Sequence, residues 1–212
     1  MGTHPFKPQI SKATKKLLIG TLPPENVTFY FSNSPNTRLW DILTAISEES
    51  TYVGKGGNGL SINRKIEILD ILGIGIGDII YKYERDDPNS TKDKHIEPKE
   101  YKNLLQIAAD NDIDELLFVY QSAFKWFLHS LKKVEPVRLS KLRSRYVNGT
   151  EQEVNFQGKV IKCILLPSPL NRGRKGETLE RKLAFYRKYI LGWKQNLTVG
   201  GMGLTPSVII KK

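Results

Sequence analysis

Cysteine is almost absent from this 212-residue chain: Cys163 stands alone, so no intrachain disulfide can form. Histidine is nearly as scarce, and His4, His95 and His129 fall at no spacing that assembles a metal site. Neither a metal nor an organic cofactor is expected. Long apolar runs are missing too. None approaches the ~20 residues that a membrane span needs, and with a mean hydropathy of -0.37 no membrane association is expected. Residues 1–16 carry Pro5, Pro8 and scattered lysines where a secretory leader needs an apolar stretch, so a cytoplasmic protein is expected.

What is present suits a globular protein. Hydrophobic residues make up 39% of the chain, enough for a sizeable core, and the length fits a single domain over 1–212. Acidic residues thin out toward the end: residues 132–194 hold 16 basic and 5 acidic side chains, so this segment accounts for the whole net charge of +11. A neutral body with a basic final third is the footprint of a protein that meets phosphate, or else a solubilising surface.

Periodicity supplies the elements. Short apolar strands are expected at 17–20, 116–120 and 160–166. Helices are expected at about 38–46 (Leu39, Ile42, Leu43 and Ile46 inward), 64–72, from after Pro98 to about Asn111, 122–131 and 179–193. The run Gly73-Ile74-Gly75-Ile76-Gly77-Asp78 reads as turn-prone, and 82–98 as a charged loop. Residues 132–158 read as a basic elaboration, with Asn148-Gly149 as its hairpin signal. Alternating strands and helices predict an α/β fold: a three-layer α/β/α sandwich around a short, mostly parallel sheet. Gly54-Lys55-Gly56-Gly57-Asn58-Gly59 spells a dinucleotide fingerprint, but it follows a helix rather than a strand and reads as a loop. Ligands of open α/β sheets bind beyond the carboxyl ends of strands, so the loops 20–25, 120–122 and 167–174 should converge on one cleft.

The most specific of these loops is Pro167-Ser168-Pro169-Leu170-Asn171, followed by Arg172, Arg174 and Lys175. Two prolines stiffen a strand exit, Leu170 forms an apolar tip, and cations follow at once. That combination suits a wedge entering a base stack while phosphates are held beside it. The bland alternative is a Pro-rich surface turn.

These residues resemble those of the uracil-DNA glycosylase superfamily. Leu166-Pro167-Ser168-Pro169-Leu170-Asn171 is similar to its second motif, His-Pro-Ser-Pro-Leu-Ser. Leu18-Ile19-Gly20-Thr21-Leu22-Pro23-Pro24 resembles the first motif, an apolar strand running into Gly-x-Asn/Asp-Pro. Ser34-Pro35-Asn36-Thr37-Arg38-Leu39-Trp40 resembles the His-Pro-x-Asn-Arg-Phe-Trp element of the mismatch-specific and hypoxanthine-directed branches, and 73–78 their Gly-Ile-x-x-x-Asp turn.

The resemblance implies a monomeric DNA-binding protein that flips a uracil- or hypoxanthine-class base and hydrolyses its N-glycosidic bond. Gly20, Leu22 and Pro23, with Tyr30 and Phe31 as stacking aromatics and Gln121 as a base reader, would hold the base. Ser168, Pro169, Leu170, Asn171, Arg172, Arg174 and Lys175 would hold DNA. Leu22, Thr37 and Leu166 stand where the family pattern has polar residues, which leaves Asp78 and Asn36 as the catalytic candidates. Asp78 reads equally as a turn cap, Asn36 as a turn residue and Gln121 as a helix start. A binding module that kept the pocket and lost the chemistry is the alternative, and the surroundings of Asp78 separate the two.

Overall fold

A computed structural model describes residues 1–24, 27–32, 36–86, 93–131, 146–170 and 177–192. In chain order the elements are β1 (Gly2–Thr3), β2 (Lys16–Gly20), α1 (Leu39–Ser47), α2 (Ile62–Leu72), β3 (Ile74–Asp78), β4 (Ile80–Arg85), β5 (Ile96–Tyr101), α3 (Leu104–Asp110), β6 (Glu115–Phe118), α4 (Gln121–Leu131), β7 (Glu151–Phe156), β8 (Lys159–Leu165) and α5 (Leu179–Leu191). Five strands form the central sheet in the order β3-β2-β6-β8-β7. The first four are parallel, and β7 pairs antiparallel with β8 at the edge.

Strand alternation sends successive side chains to opposite faces, and both faces here are apolar. Leu18, Leu117 and Ile164 pack with α1, α2 and α5. Leu17, Ile19, Leu116, Phe118, Cys163 and Leu165 pack on the other face with α3 and α4. Burial on both faces is what makes the strands read as continuous hydrophobic runs, and it gives the expected α/β/α layering.

Several local expectations are corrected. The run 74–78 is no turn but a fully buried edge strand, β3. Its glycines serve close approach: a Cβ at Gly75 would lie 2.7 Å from the Gln9 carbonyl oxygen, and the chain pairs there through a Gln9–Ile76 bridge. The charged segment 82–98 contributes β4 and β5, an antiparallel pair that β1 extends to three strands. Tyr101 ends β5 instead of joining the helix, and α3 starts at Leu104 with the Asn103 side chain capping the Gln106 amide. The hairpin turn lies at Gln157-Gly158, both at positive φ, whereas Asn148-Gly149 turns the chain into β7. Residues 132–145 and Trp193 lie outside the described residues. Among the described residues no helix is long and apolar enough to cross a membrane.

Candidate functional site

The strand order sets the location. The chain leaves β2 toward β3 on one side, and leaves β6 toward β8 on the other, so the sheet reverses direction between β2 and β6. Such a reversal opens a crevice at the carboxyl ends of the strands. Gly20 ends β2, Asp78 ends β3 in register with it, and Tyr120 and Gln121 follow β6.

Hydrogen bonds draw the three expected loops together. Asp93, in a short turn before β5, accepts from the Thr21 hydroxyl at 2.9 Å and from the Ser122 hydroxyl, linking the first loop to the second. The Thr37 side chain lies beside the Tyr120 hydroxyl. Thr37 in turn forms a β-bridge with Leu170, and the Arg38 amide donates to the Pro169 carbonyl at 2.7 Å.

The proline loop is held at several of its polar atoms. Tyr186 Oη donates to the Pro167 carbonyl at 3.0 Å, and the buried Lys182 ammonium donates to the Leu170 carbonyl at 2.7 Å. The Leu170 amide donates to Ser168 Oγ at 3.4 Å. Leu170 itself stays 37% exposed, an apolar tip on a fixed base. Asn171, Arg172, Arg174 and Lys175 lie outside the described residues.

At the centre, Asp78 is only 3% exposed and bonds no turn backbone among the described residues; its Oδ2 lies 3.0 Å from His4 Nε2. Gly20 is required beside it, because a methyl group there would overlap the Asp78 carboxylate and lie 2.7 Å from Phe31 Cζ. Phe31, at φ 54°, tilts against Tyr120 with centroids 6.0 Å apart. Phe31 and Tyr120 are the aromatic pair of the crevice. Tyr30, by contrast, is buried beneath, packed on His4, Phe6 and Phe29, with its hydroxyl donating to the Lys7 carbonyl.

The other candidates are placed as follows. Leu22 packs partly buried against the α3/α4 side of the core. Pro23 is buried, and its carbonyl accepts from Arg85 Nη2 at 3.1 Å. Gln121 begins α4 and donates its side-chain amide to the Tyr146 carbonyl at 2.7 Å. Asn36 is exposed in a turn, and its neighbours 33–35 lie outside the described residues. Leu166 is core-packed on the α1/α2/α5 side.

The buried Asp78 carboxylate therefore has a second, half-buried carboxylate, Asp93, close by. Burial pushes the Asp93 carboxyl up from its ordinary value, and the nearby Asp78 charge adds to this, while the Ser122 and Thr21 hydroxyls and Arg85 pull it down. Burial likewise raises the Tyr120 phenol, so it keeps its proton at neutral pH. The cations facing this pair are Arg85 and Lys102. Burial depresses the Lys102 ammonium to about 8, against the pull of Asp78, and it donates to the Phe6 carbonyl at 3.1 Å.

This depression has a sign that can be checked. With a folded value of about 8 against 10.5 for the free side chain, the unfolded chain binds more protons between those values. Stability from this group therefore rises with pH through that window. Urea unfolding on either side of it should show wild type gaining on Lys102→Met as pH increases. A constant difference would disprove the burial of this charge.

Asp93, His4 and Arg85 were not legible as site residues, and Tyr120 was legible only as part of the loop 120–122. Asp93 sits in a charged stretch without periodicity, and His4 meets Asp78 across 74 positions. Among the described residues no cluster of three or more His, Cys, Asp or Glu is arranged to hold a metal ion.

No family model matches the chain, and no curated protein matches it. Solved structures do. A solution NMR structure of a protein from Methanosarcina acetivorans, provisionally named a uracil DNA glycosylase, is similar with a TM-score of 0.54 and 15% sequence identity. The match covers 87% of this chain and 96% of the other. At that identity the likeness concerns the fold.

Proposed function

We propose that this protein hydrolyses the N-glycosidic bond of a damaged or deaminated base, of the uracil or hypoxanthine class, after the base has turned out of DNA. The observation that carries this reading is Asp78: a buried carboxylate at a strand end, held by a histidine and facing the point above Gly20 that Phe31 also approaches. Rupture of the glycosidic bond sends its electron pair to the base and leaves positive charge on the sugar. A carboxylate in a water-poor pocket stabilises that cation far more than one in solvent. Water then bonds the sugar carbon and gives a proton to Asp78, while the departing base takes one from solvent. Phe31 and Tyr120 offer flat faces on which a nucleobase can stack, and the protonated Tyr120 phenol is a donor for the charge developing on the base.

The fold likeness to the Methanosarcina acetivorans protein supports this reading, as does the fixed Leu170 tip. Binding without chemistry is the second reading. It is favoured by Leu166, whose side chain is buried in the core and offers the crevice no polar group. Incubation with oligonucleotides carrying uracil, hypoxanthine, xanthine or thymine mismatches, scored for abasic sites, separates the two. Abasic sites from at least one are expected; retained binding with none formed favours the second reading.

Leu170→Ala is expected to slow release from stable base pairs by about tenfold, equivalent to ~1.4 kcal/mol. Release from mismatches or single strands should fall less, because little stacking must be broken there. Equal losses on every substrate would contradict a wedge.

A further inference from the structure

We infer that His4 is a positioning residue for Asp78, so that the N-terminal arm is part of the candidate site; this rests on the glycosidic reading above. The His4 side chain is fully buried. Its ring stacks on Tyr30 at 5.9 Å and meets Phe6 edge-on at 5.9 Å. A phenylalanine would fill that aromatic box equally well. What requires an imidazole is the pair of ring-nitrogen bonds, Nδ1 with the Phe6 backbone and Nε2 with Asp78, and of these only the second reaches the candidate site.

The hydrogen bonds assign the proton. His4 Nδ1 lies 3.0 Å from the Phe6 amide nitrogen and 2.9 Å from the Phe6 carbonyl oxygen, and Nε2 lies 3.0 Å from Asp78 Oδ2. With the proton on Nδ1, the Nε2 lone pair would face the carboxylate lone pairs, and the Phe6 amide would lose its acceptor. With the proton on Nε2, His4 accepts from the Phe6 amide and donates to Asp78, and the Phe6 carbonyl beside Nδ1 takes its donor from the Lys102 ammonium instead. The donated bond fixes Oδ2, and Oδ1 is the oxygen that faces Gly20. That is the oxygen placed to take the proton of an attacking water.

The arm is not loosely attached. Gly2 and Thr3 pair with Tyr83 and Lys82, the His4 amide donates to the Tyr81 carbonyl at 2.8 Å, and Gln9 bridges to Ile76. Lys102 and Tyr30 donate to the carbonyls of Phe6 and Lys7, at the ring's anchor and the residue after it. A histidine held this firmly against a carboxylate sets that carboxylate's rotamer, in the way outer partners orient a ligand, where removal costs about 10- to 100-fold in activity.

The test uses the full chain and single-turnover release from a uracil or hypoxanthine oligonucleotide. His4→Ala and His4→Phe should lower the saturated rate about 10- to 100-fold with the half-saturating DNA concentration unchanged, and His4→Gln, whose amide can donate from a similar place, should recover most of it. Long-range proton–nitrogen spectra of wild type should show His4 with its proton on Nε2, and that signature should change in Asp78→Ala. Full activity in His4→Phe, a His4→Gln variant no better than His4→Phe, or a proton on Nδ1 would overturn the inference alone. A wild-type chain that releases no base from any oligonucleotide overturns it together with the glycosidic reading.

Discussion

Asp78→Asn is expected to lower base release by about 10²- to 10³-fold on every substrate, the usual cost of losing one preorganised electrostatic contact to a transition state. DNA affinity should be unchanged. The substitution keeps the shape of the side chain, and an Asn oxygen can still accept from His4 Nε2, so the packing around Gly20 and Phe31 is preserved. What it removes is the negative charge that a cationic sugar would feel. Because that charge matters only once the glycosidic bond has begun to break, the loss should fall on the saturated rate and on the ratio of rate to half-saturation alike. Release assays with matched uracil, hypoxanthine and mismatch substrates, alongside binding isotherms, check both halves. A fully active Asp78→Asn would remove Asp78 from the chemistry and favour the binding reading. Selective loss on base pairs alone would place Asp78 in base extrusion instead.

The parts of this site that could be read from the sequence are those set by local spacing. Leu18 and Ile19 lead to Gly20, Leu116 to Phe118 lead to Tyr120, and Ile164 and Leu165 lead to the proline loop, because buried parallel strands are short apolar runs and their exits are punctuated by Gly and Pro. The helix faces were equally legible: Leu39, Ile42, Leu43 and Ile46 in α1 are all buried. Strand β3 was hidden because Gly75 makes room for Gln9, a neighbour that no local pattern reveals. Strands β4 and β5 were hidden for another reason. Their outward residues carry the ion pairs Lys82–Glu100 at 2.6 Å and Lys99–Glu84 at 2.9 Å, so charge density masked the pairing.

The same distinction applies to function. Asp78 could be proposed from the resemblance of 73–78 to the family's Gly-Ile-x-x-x-Asp element, but its partner could not, because the His4–Asp78 contact is made by the N-terminal arm folding across β3 and β4. Lys182 is similar. On α5 it falls on the turn beside the outward-facing Arg181, yet its ammonium is buried under the Leu170 carbonyl, which makes a basic helix residue a strut for the wedge. Burial lowers the Lys182 ammonium from its ordinary value, with Glu177 opposing. A count of surface cations from sequence therefore overstates those available to phosphate.

Gly20→Ala should damage stability and activity together. The added methyl would overlap the Asp78 carboxylate and approach Phe31 Cζ to 2.7 Å, and neither neighbour ends a flexible side chain. Asp78 is pinned by His4 and by the β2–β3 register, and Phe31 is held at positive φ against Tyr120. Overpacking of this kind costs about 1–3 kcal/mol of stability, measurable by urea unfolding. Displacement of the carboxylate should also cut base release by ~10²-fold, the penalty for misplacing a reacting group by roughly 1 Å. Gly77→Ala, one residue from Asp78, is the control. Its methyl would sit 3.4 Å from Pro8 Cβ and 3.6 Å from Pro8 Cγ, no closer than ordinary contact. That variant should keep both stability and activity, since Ala restricts the unfolded chain more than Gly does. If Gly20→Ala were as stable and as active as Gly77→Ala, the close approach of Asp78, Gly20 and Phe31 would not be the geometry on which the site depends.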